Sequence, residues 1–318
     1  MTQAIVTIVM PCFNAAATVE ASIRSVQAQT RGNWQLTAVD DGSQDGTAEV
    51  IEAIGDVRIR LIRQVNAGVS AARNRALREV RTPYVTFLDA DDTWAPGFLE
   101  LMLGALSANA DAALAYCGWE DVHSLPRRRL AHDPPDYEAA GPQKFAQLLR
   151  RCPWVIHAAV SRTEAVREAG GFDPHFAIAE DFLLWLRIAA RWRIVRVPGR
   201  MAFYHHDSVR LQATRNVVRV VRATREVLTK FLDEHPNIAR EVGRSVQRDV
   251  LYRHSLRSGY DALWARDLAT AQALFRDCVR VGYLGRRDLK YLLPALLPGP
   301  IFRSLVMGRD AGASARPG

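Results

Sequence analysis

Lysine is scarce in this sequence, and closely spaced cysteine pairs and long apolar runs are lacking. Among 42 basic residues only Lys144, Lys230 and Lys290 are lysine, a skew that we attribute mainly to a GC-rich genome. The four cysteines form no Cys-x-x-Cys pair and have no histidine at zinc-site spacing. This excludes a zinc module and predicts reduced thiols in a cytosolic protein.

Targeting and membrane-spanning segments are also lacking. Residues 1–10 contain neither a basic region nor a small-residue cleavage site, so we expect no signal peptide. A membrane-spanning helix needs about 18 or more uncharged apolar residues in a row, and none is found. The nearest stretch, 291–307, is interrupted by three prolines and Arg303. We therefore predict a cytoplasmic protein.

The remaining composition is that of a soluble globular protein whose charge is unevenly distributed. The 318 residues are 48% hydrophobic and 24% charged, with a formal net charge of +8. Residues 1–214 carry 23 basic and 24 acidic residues, a net of −1, whereas residues 215–318 carry 19 and 10, a net of +9. The basic excess belongs to the last third, so nucleic acid is not an expected partner of the rest.

Two apolar periodicities alternate over the first two thirds of the chain. They predict strands at 5–10, 34–39, 57–64 and 84–88, and helices at 17–29, 47–54 and 70–80. This alternation is typical of an α/β fold with a mostly parallel sheet flanked by helices. After residue 215 the pattern is helical, with an antiparallel pair at 252–263 and 267–281. We predict two domains, 1–214 and a basic helical region, 215–318.

Carboxylates follow the predicted strands at the sheet edge where α/β proteins bind ligands. Asp89-Ala-Asp-Asp92 follows one strand, and three carboxylates so close together favour a divalent ion with oxygen ligands. A solvated turn or a helix cap is the alternative. Asp40-Asp41 ends another strand at the same edge. Glu180-Asp181 precedes an amphipathic helix, where capping alone would also explain acidic residues.

Two other enzyme classes disagree with the sequence, one in its first turn and the other in its order of strands. Pro11-Cys-Phe-Asn14 stands where a dinucleotide-binding oxidoreductase would have its Gly-x-Gly-x-x-Gly turn. Asp89-Ala-Asp-Asp-Thr93 also matches the Asp-x-Asp-x-Thr of haloacid-dehalogenase-type phosphatases, with Asp89 as nucleophile. Lys144 would then lie near the phosphate, and Glu180-Asp181 would be the further acidic pair that this class needs. That class carries its nucleophile on the first strand, whereas three predicted strands precede Asp89.

Taken together, seven segments resemble the inverting family 2 glycosyltransferases of the GT-A fold, the type that builds bacterial cell-surface polysaccharides and glycolipids. The resemblance implies a Rossmann-like catalytic domain with a helical C-terminal extension. The segments occur in the family's order and at its spacing over about residues 4–210. They are Val9-Met-Pro-Cys-Phe-Asn14, Ser25-Val-Gln-Ala-Gln29, Val39-Asp-Asp-Gly-Ser43, Asn66-Ala-Gly68 with Ala72-Arg-Asn74, Phe87-Leu-Asp-Ala-Asp-Asp92, Gly170-Gly-Phe-Asp173 and Glu180-Asp181.

The resemblance implies a nucleotide site made of two loops and one arginine. The first loop would contain Pro11, Phe13 and Asn14. In the second loop, Asp41 would hydrogen-bond the base, with support from Asp40. Arg73 would lie near the base and the ribose.

The resemblance also implies a metal site and a catalytic base. Asp91 would bind Mn²⁺ or Mg²⁺, and Asp89 would reach the ribose or the water shell of the ion. His206 would complete the metal shell, with His205 as a neighbouring candidate and an ordinary loop histidine as the alternative. Asp181, in the Glu180-Asp181 motif, would be the general base.

The implied reaction moves a sugar from a nucleotide-diphosphate donor, with UDP the expected nucleotide, to a hydroxyl of a glycan or lipid-linked acceptor. Asp181 would take the proton of that hydroxyl as it attacks the anomeric carbon, and the ion would neutralise the leaving diphosphate. One displacement inverts the configuration of the sugar. A protein of the same fold that binds nucleotide sugars without turnover is the alternative.

The remaining predictions concern residues outside the family motifs. We expect His157 to be a satisfied strand histidine, with an acceptor-site role as the alternative. Arg210 and Arg215 are expected in solvent, and a diphosphate clamp is the alternative. The basic, apolar tail predicts a peripheral contact with the inner face of the cytoplasmic membrane. Packing of the tail on the catalytic domain, or on a second subunit in a homodimer, is left open.

Overall fold

The computed structural model of the protein describes residues 3–123, 128–206 and 216–313, with side chains described as far as residue 306. The chain divides into two compact units, Met1–Arg210 and Leu211–Gly318, and each is described by itself. The predicted domain boundary after residue 214 falls outside the described residues and stays a prediction.

The first unit is an α/β unit whose described residues form one sheet of nine strands. The strands are β1 (Val6–Cys12), β2 (Trp34–Asp40), β3 (Ile59–Arg63), β4 (Tyr84–Phe87), β5 (Thr93–Trp94), β6 (Ala112–His123), β7 (Arg128–His132), β8 (Ala159–Arg162) and β9 (Arg193–His206). The helices are α1 (Val19–Gln27), α2 (Thr47–Ala53), α3 (Val69–Leu77), α4 (Phe98–Ala108), α5 (Lys144–Leu148), α6 (Thr163–Glu168) and α7 (Glu180–Arg191).

The strand order is β3-β2-β1-β4-β8-β6-β9-β5, and β7 also pairs with β6. The strands β1 to β4 are parallel, as the alternating periodicity predicts. The second half of the sheet is mixed, so that four of the eight pairings among the described residues are antiparallel. The sheet is thus wholly parallel over its first four strands, and beyond them the parallel pair of β6 and β9 stands among antiparallel pairings.

The apolar runs form strands because both faces of the sheet are covered. Every residue of 6–10 in β1 is fully buried, as is usual for a central parallel strand under helices. Val19, Ile23 and Val26 of α1 are buried on one face of that helix, as their spacing predicts. Because β1 pairs in parallel with β2 on one side and with β4 on the other, the carboxyl ends of these three strands lie side by side. The acidic segments follow these ends in the sequence.

The second unit is helical. Its helices are α8 (Val217–Glu234), α9 (Pro236–Trp264), α10 (Leu268–Arg280), α11 (Leu289–Leu292) and α12 (Gly299–Ala313). Helix α9 is kinked at Gly243, where φ is 74°. The predicted helical pair lies within α9 and α10. The buried core of this unit includes Phe275 of α10, Leu292 of α11 and Phe302 of α12. Within the described residues, no helix combines the length and the apolar character needed to cross a bilayer.

Candidate active site

Arg73 joins two acidic motifs that are far apart in the sequence. Its guanidinium on α3 donates from Nη1 to Glu180 Oε1 at 2.5 Å and from Nη2 to Asp89 Oδ1 at 2.7 Å. The side chain is 3% exposed. Burial alone would lower the pKa of Arg73, but the charges of Asp89 and Glu180 raise it above its usual value. The arginine therefore stays charged and holds the two motifs together.

Asp181 lies in the first turn of α7, directly after Glu180. Its Oδ1 accepts a hydrogen bond from the backbone N–H of Phe182 at 2.8 Å. Burial, followed by the charge of Glu180, raises the pKa of Asp181 to about 7. A carboxylate that titrates near neutral pH is suited to general-base catalysis, because it accepts a proton more readily than an ordinary aspartate.

Helix α7 begins after a residue with an unusual backbone conformation. Ala179, the residue before Glu180, has φ of 62°, a left-handed conformation that is uncommon for a residue with a side chain. The preceding loop is fastened to α3 by Asn74, whose amide donates to the carbonyl of Phe172 at 2.6 Å and accepts from its N–H at 3.0 Å. These contacts bring Asp181 to the sheet edge that also holds Asp89.

Asp92 has a structural role that separates it from its two neighbours. The residue is 1% exposed, its Oδ1 accepts from the backbone N–H of His205 at 2.8 Å, and its Oδ2 lies 3.0 Å from Nδ1 of His157. Burial lowers the pKa of His157, but Asp92 outweighs burial and the net change is upward. The expectation of a strand histidine is wrong: His157 lies in a 3-10 turn (Ile156–Ala158) because this buried pair fixes it before β8.

The chemistry of Asp89 and Asp91 fits a hard divalent cation. Both are only partly buried, and carboxylate oxygens are the ligands that Mn²⁺ and Mg²⁺ accept. Their negative charge reaches the neighbouring groups: the pKa values of Cys12 and Tyr204 are raised first by burial and then by aspartates that include both residues. A cation at Asp91 would relieve that repulsion.

His206 lies beside Asp121 and His123. Its Nε2 is 3.5 Å from Asp121 Oδ1, and its ring stacks on His123 with 4.3 Å between centroids. Among the described residues these three form a group whose ligand atoms lie within 4.8 Å of one another. A shell shared by His206 and Asp91 stays a prediction. His205 instead lies with its Nε2 2.9 Å from Thr93 Oγ1.

The two predicted nucleotide loops are tied to each other through Asn14. Its φ is 50°, its N–H donates to Ser43 Oγ at 2.9 Å, and its side-chain oxygen accepts from the N–H of Gln44 at 2.9 Å. Pro11 is partly buried at the end of β1, whereas Phe13 is 53% exposed and offers a free aromatic face. This geometry suits a base-binding surface, which stays a prediction.

The carboxylates of the second loop are buried and already engaged. Asp40 accepts from the N–H of Ser43 at 3.0 Å. Asp41 accepts from Gln64 Nε2 at 2.7 Å and from the N–H groups of Ala67 and Gly68 at 2.9 and 2.8 Å. Asp41 therefore shapes the loop before α3. Direct contacts of Asp41 and Arg73 with a nucleotide stay predictions, and Arg210 and Arg215 lie outside the described residues.

Several residues of this edge were not found from the sequence. Cys152 lies with Sγ 4.0 Å from Asp181 Oδ2, and burial followed by the charge of Asp181 raises its pKa, so it remains a thiol. Tyr204, Asp121 and His123 are the others. Alternation of Asp121 and His123 along a strand was a usable signal, because residues i and i+2 share one face of a sheet.

Comparison with known proteins identifies the family. A family model described as glycosyl transferase family 2 matches residues 7–162. The chain is 32% identical over 194 residues to UDP-Glc:alpha-D-GlcNAc-diphosphoundecaprenol beta-1,3-glucosyltransferase WfgD of Escherichia coli, covering 59% of this chain and 71% of that protein. This chain belongs to glycosyl transferase family 2. The phosphatase alternative is thereby wrong, and Lys144 indeed pairs with Glu138 at 2.6 Å.

The fold of this glycosyltransferase is the GT-A fold that the resemblance implies. Staphylococcus aureus TarS 1-349 in complex with UDP-GlcNAc matches with a TM-score of 0.65 at 15% identity, over 96% of this chain and 92% of that one. The mannosyltransferase PcManGT of Pyrobaculum calidifontis, in complex with GDP-Man and Mn²⁺, matches with a TM-score of 0.61 at 20% identity, over 99% and 87%. The chain spans smaller shares, 28–54%, of three further curated relatives.

Proposed function

We propose that this glycosyltransferase inverts the sugar it transfers and depends on a divalent metal ion, with Asp181 as the general base. The observation that carries the proposal is the Arg73 bridge, because one buried cation joins Asp89 to the residue beside Asp181. The bridge brings the acidic motif suited to a cation and the candidate base to one sheet edge. An inverting transfer needs a base for the acceptor and charge neutralisation for the leaving diphosphate.

The residues of this chain would divide the reaction between them. Asp181 accepts the proton of the acceptor hydroxyl as that oxygen attacks the anomeric carbon, and the bond to the diphosphate oxygen breaks on the opposite side. Glu180 holds Arg73, and Asp89 and Asp91 would hold the ion. When bound, the ion supplies Lewis-acid stabilisation of the leaving diphosphate. Loops 11–14 and 40–43 would bind the nucleotide.

Replacing Asp181 with Asn tests the base. We expect donor binding to stay near the native value and kcat to fall by about 100- to 10,000-fold, the usual contribution of a general base. Donor binding is measured by calorimetry and transfer by release of the nucleoside diphosphate. Native transfer by this variant would contradict the assignment. Donor binding by the native protein without turnover on a broad set of acceptors would favour the binding-protein alternative.

Replacing Asp91 with Ala tests the metal. We expect the variant to lose both activity and its response to Mn²⁺, because the remaining carboxylate, Asp89, is already held by Arg73. The native protein should lose transfer on chelation and regain it with Mn²⁺ or Mg²⁺. Transfer that is insensitive to chelators in the native protein would contradict the metal role.

We propose a UDP-sugar donor and a lipid-linked glycan acceptor. WfgD acts on a diphosphoundecaprenol-linked sugar with UDP-Glc, and TarS binds UDP-GlcNAc, which supports this choice by analogy. A panel of UDP-, GDP- and dTDP-sugars with Mn²⁺, read by thermal shift, tests the donor because bound ligand raises the melting temperature. A rise with a GDP-sugar alone would overturn the UDP assignment.

We further propose that the helical unit places the enzyme on the inner face of the cytoplasmic membrane. Leu293, Leu296 and Ile301 are 51%, 53% and 48% exposed. Basic residues at positions 286, 287, 290 and 303 flank them in the sequence. Exposed apolar side chains flanked by cations suit an anionic lipid surface. A second subunit on the same side chains would give a homodimer, which is an outcome of the membrane test described in the Discussion.

A further inference from the structure

The ends of β6 and β9 bring three metal-ligand side chains to one face of the sheet. The two strands run parallel, with His123 opposite His206 and Asp121 opposite Tyr204. Since residues i and i+2 share a face, Asp121, His123 and His206 all project from the same side. Their ligand atoms lie within 4.8 Å of one another, and Nε2 of His206 is 3.5 Å from Oδ1 of Asp121. The three ligand atoms are therefore close enough to one another to hold one ion.

A fourth residue orients the carboxylate. His132 on β7 lies with Nε2 2.9 Å from the other oxygen of Asp121, Oδ2. Its own ring stacks on Trp119 with 4.6 Å between centroids, which fixes its position. Carboxylates that bind metals are commonly held by such an outer partner, because it restricts their rotation. Asp121 therefore has one oxygen engaged by His132 and the other beside His206.

We propose that Asp121, His123 and His206 form a divalent transition-metal site distinct from the Asp89–Asp91 pair. Two imidazoles and one carboxylate suit Zn²⁺, Co²⁺ or Mn²⁺, whereas Mg²⁺ and Ca²⁺ prefer sites made of oxygen alone. The ion would bridge the end of β6 to the end of β9. The site does not depend on the proposed transfer reaction, and it assigns His206 to this ion rather than to one at Asp91.

Titration of the metal-free, full-length protein with Co²⁺ tests the site without any nucleotide sugar. Absorption bands of Co²⁺ report imidazole ligation directly. We expect the Asp91→Ala variant to retain one Co²⁺ with imidazole ligation, at the affinity that the native protein shows for that ion. His123→Ala and Asp121→Asn should weaken that affinity by more than about 100-fold, and His132→Gln by about 10- to 100-fold, since outer partners typically contribute that much. Excess Mg²⁺ should not displace the Co²⁺.

An exposed histidine elsewhere in the first unit provides the control. His175→Ala should bind Co²⁺ with native affinity. Circular dichroism confirms that each variant is folded, and a misfolded His123→Ala is replaced by His123→Gln. Native affinity in the folded Asp121 and His123 variants would overturn the proposal, as would loss of all binding in Asp91→Ala. Absence of transfer activity with intact Co²⁺ binding would contradict the proposed function alone.

Discussion

Asp181 shows how burial near one charge changes the chemistry of a single residue. Its pKa of about 7 is due first to burial and then to Glu180, and the charge of Arg73 limits the rise. The raised value makes Asp181 a stronger base than an aspartate in solvent. It also carries a cost, because a carboxylate that resists ionisation in the folded protein reduces stability as the pH rises from about 4 to 7.

The raised pKa of Asp181 predicts a specific pH dependence of transfer. A base must be deprotonated to act, so kcat/KM should rise with pH, reach half its maximum near 7 and level off above that. Glu180→Gln removes a charge that raises the pKa of Asp181, and its midpoint should therefore move to lower pH. Initial rates between pH 4 and 9 with saturating metal measure both. A native midpoint near pH 4 would show that Asp181 is an ordinary aspartate or not the base.

The loop before α7 is held against helix α3 by a close approach between Gly171 and Asn74. Gly171 has φ of 64°, and a Cβ placed on it would lie 2.8 Å from Oδ1 of Asn74. That oxygen is the one that accepts from the N–H of Phe172. The glycine is thus needed both for its backbone conformation and for the close approach of Asn74, which together fix the start of α7.

Replacing Gly171 with Ala should therefore loosen this contact. We expect a loss of about 1–3 kcal/mol in unfolding free energy, from the left-handed backbone and the clash with Asn74. Transfer should also fall, because Asp181 follows on α7. Denaturant titration and initial rates provide the measurements. Gly104→Ala within α4, where no atom lies within 4 Å of the added carbon, is the matched control and should stabilise by about 0.5–1 kcal/mol. Equal effects of the two changes would contradict the argument.

Elements with strong local periodicity were predictable from the sequence, and those defined by distant partners were not. The strands β1 to β4 and the helices between them lie within a few residues of their predicted bounds, because each has its own apolar pattern. The short strands β5 and β7 have too few residues to show one, and their pairing depends on β9 and β6. The directions of the other strands of the mixed half also depend on partners far apart in the chain, because β8 pairs with β4 and β6. A local pattern does not report such pairings.

The acidic motifs of the candidate site were predictable from the sequence, but the contacts that join them were not. The acidic residues of the site lie in short motifs that the sequence displays directly. The hydrogen bond from Arg73 to Glu180 joins residues 107 positions apart, and no local spacing carries that information. The group of Asp121, His123 and His206 likewise depends on the register between two strands far apart in the chain. Motifs identified the residue types, and only the fold identified their partners.

At the scale of the whole molecule, the two units differ in charge. The first 210 residues carry a net charge of −1, and residues 211–318 carry +9. In the second unit, Leu292 and Phe302 are buried in the helical core, whereas Leu296 and Ile301 between them are exposed. Deleting the whole segment would therefore remove core residues, and substitutions at the exposed positions test its role more cleanly.

The proposed membrane contact predicts that vesicle binding depends on the exposed side chains of Leu296 and Ile301 and on the positive charge of the second unit. The full-length protein should bind vesicles that contain anionic lipid, and binding should weaken as salt is added, because each basic residue near the surface contributes about 1 kcal/mol that salt screens. Leu296→Glu with Ile301→Glu should reduce binding by at least about tenfold, since both the buried apolar area and the local positive charge are lost. Flotation with vesicles at several salt concentrations measures the affinity.

Leu101→Glu provides the matched control, because Leu101 is 43% exposed on α4, in the first unit, whose net charge is −1. It should bind anionic vesicles with native affinity. Equal binding to neutral and anionic vesicles would contradict the charge argument, and native binding by the Leu296/Ile301 variant would contradict the apolar one. If that variant instead converts a dimer to a monomer in size-exclusion chromatography, a second subunit covers these side chains. The acceptor must then reach the active site without help from this surface.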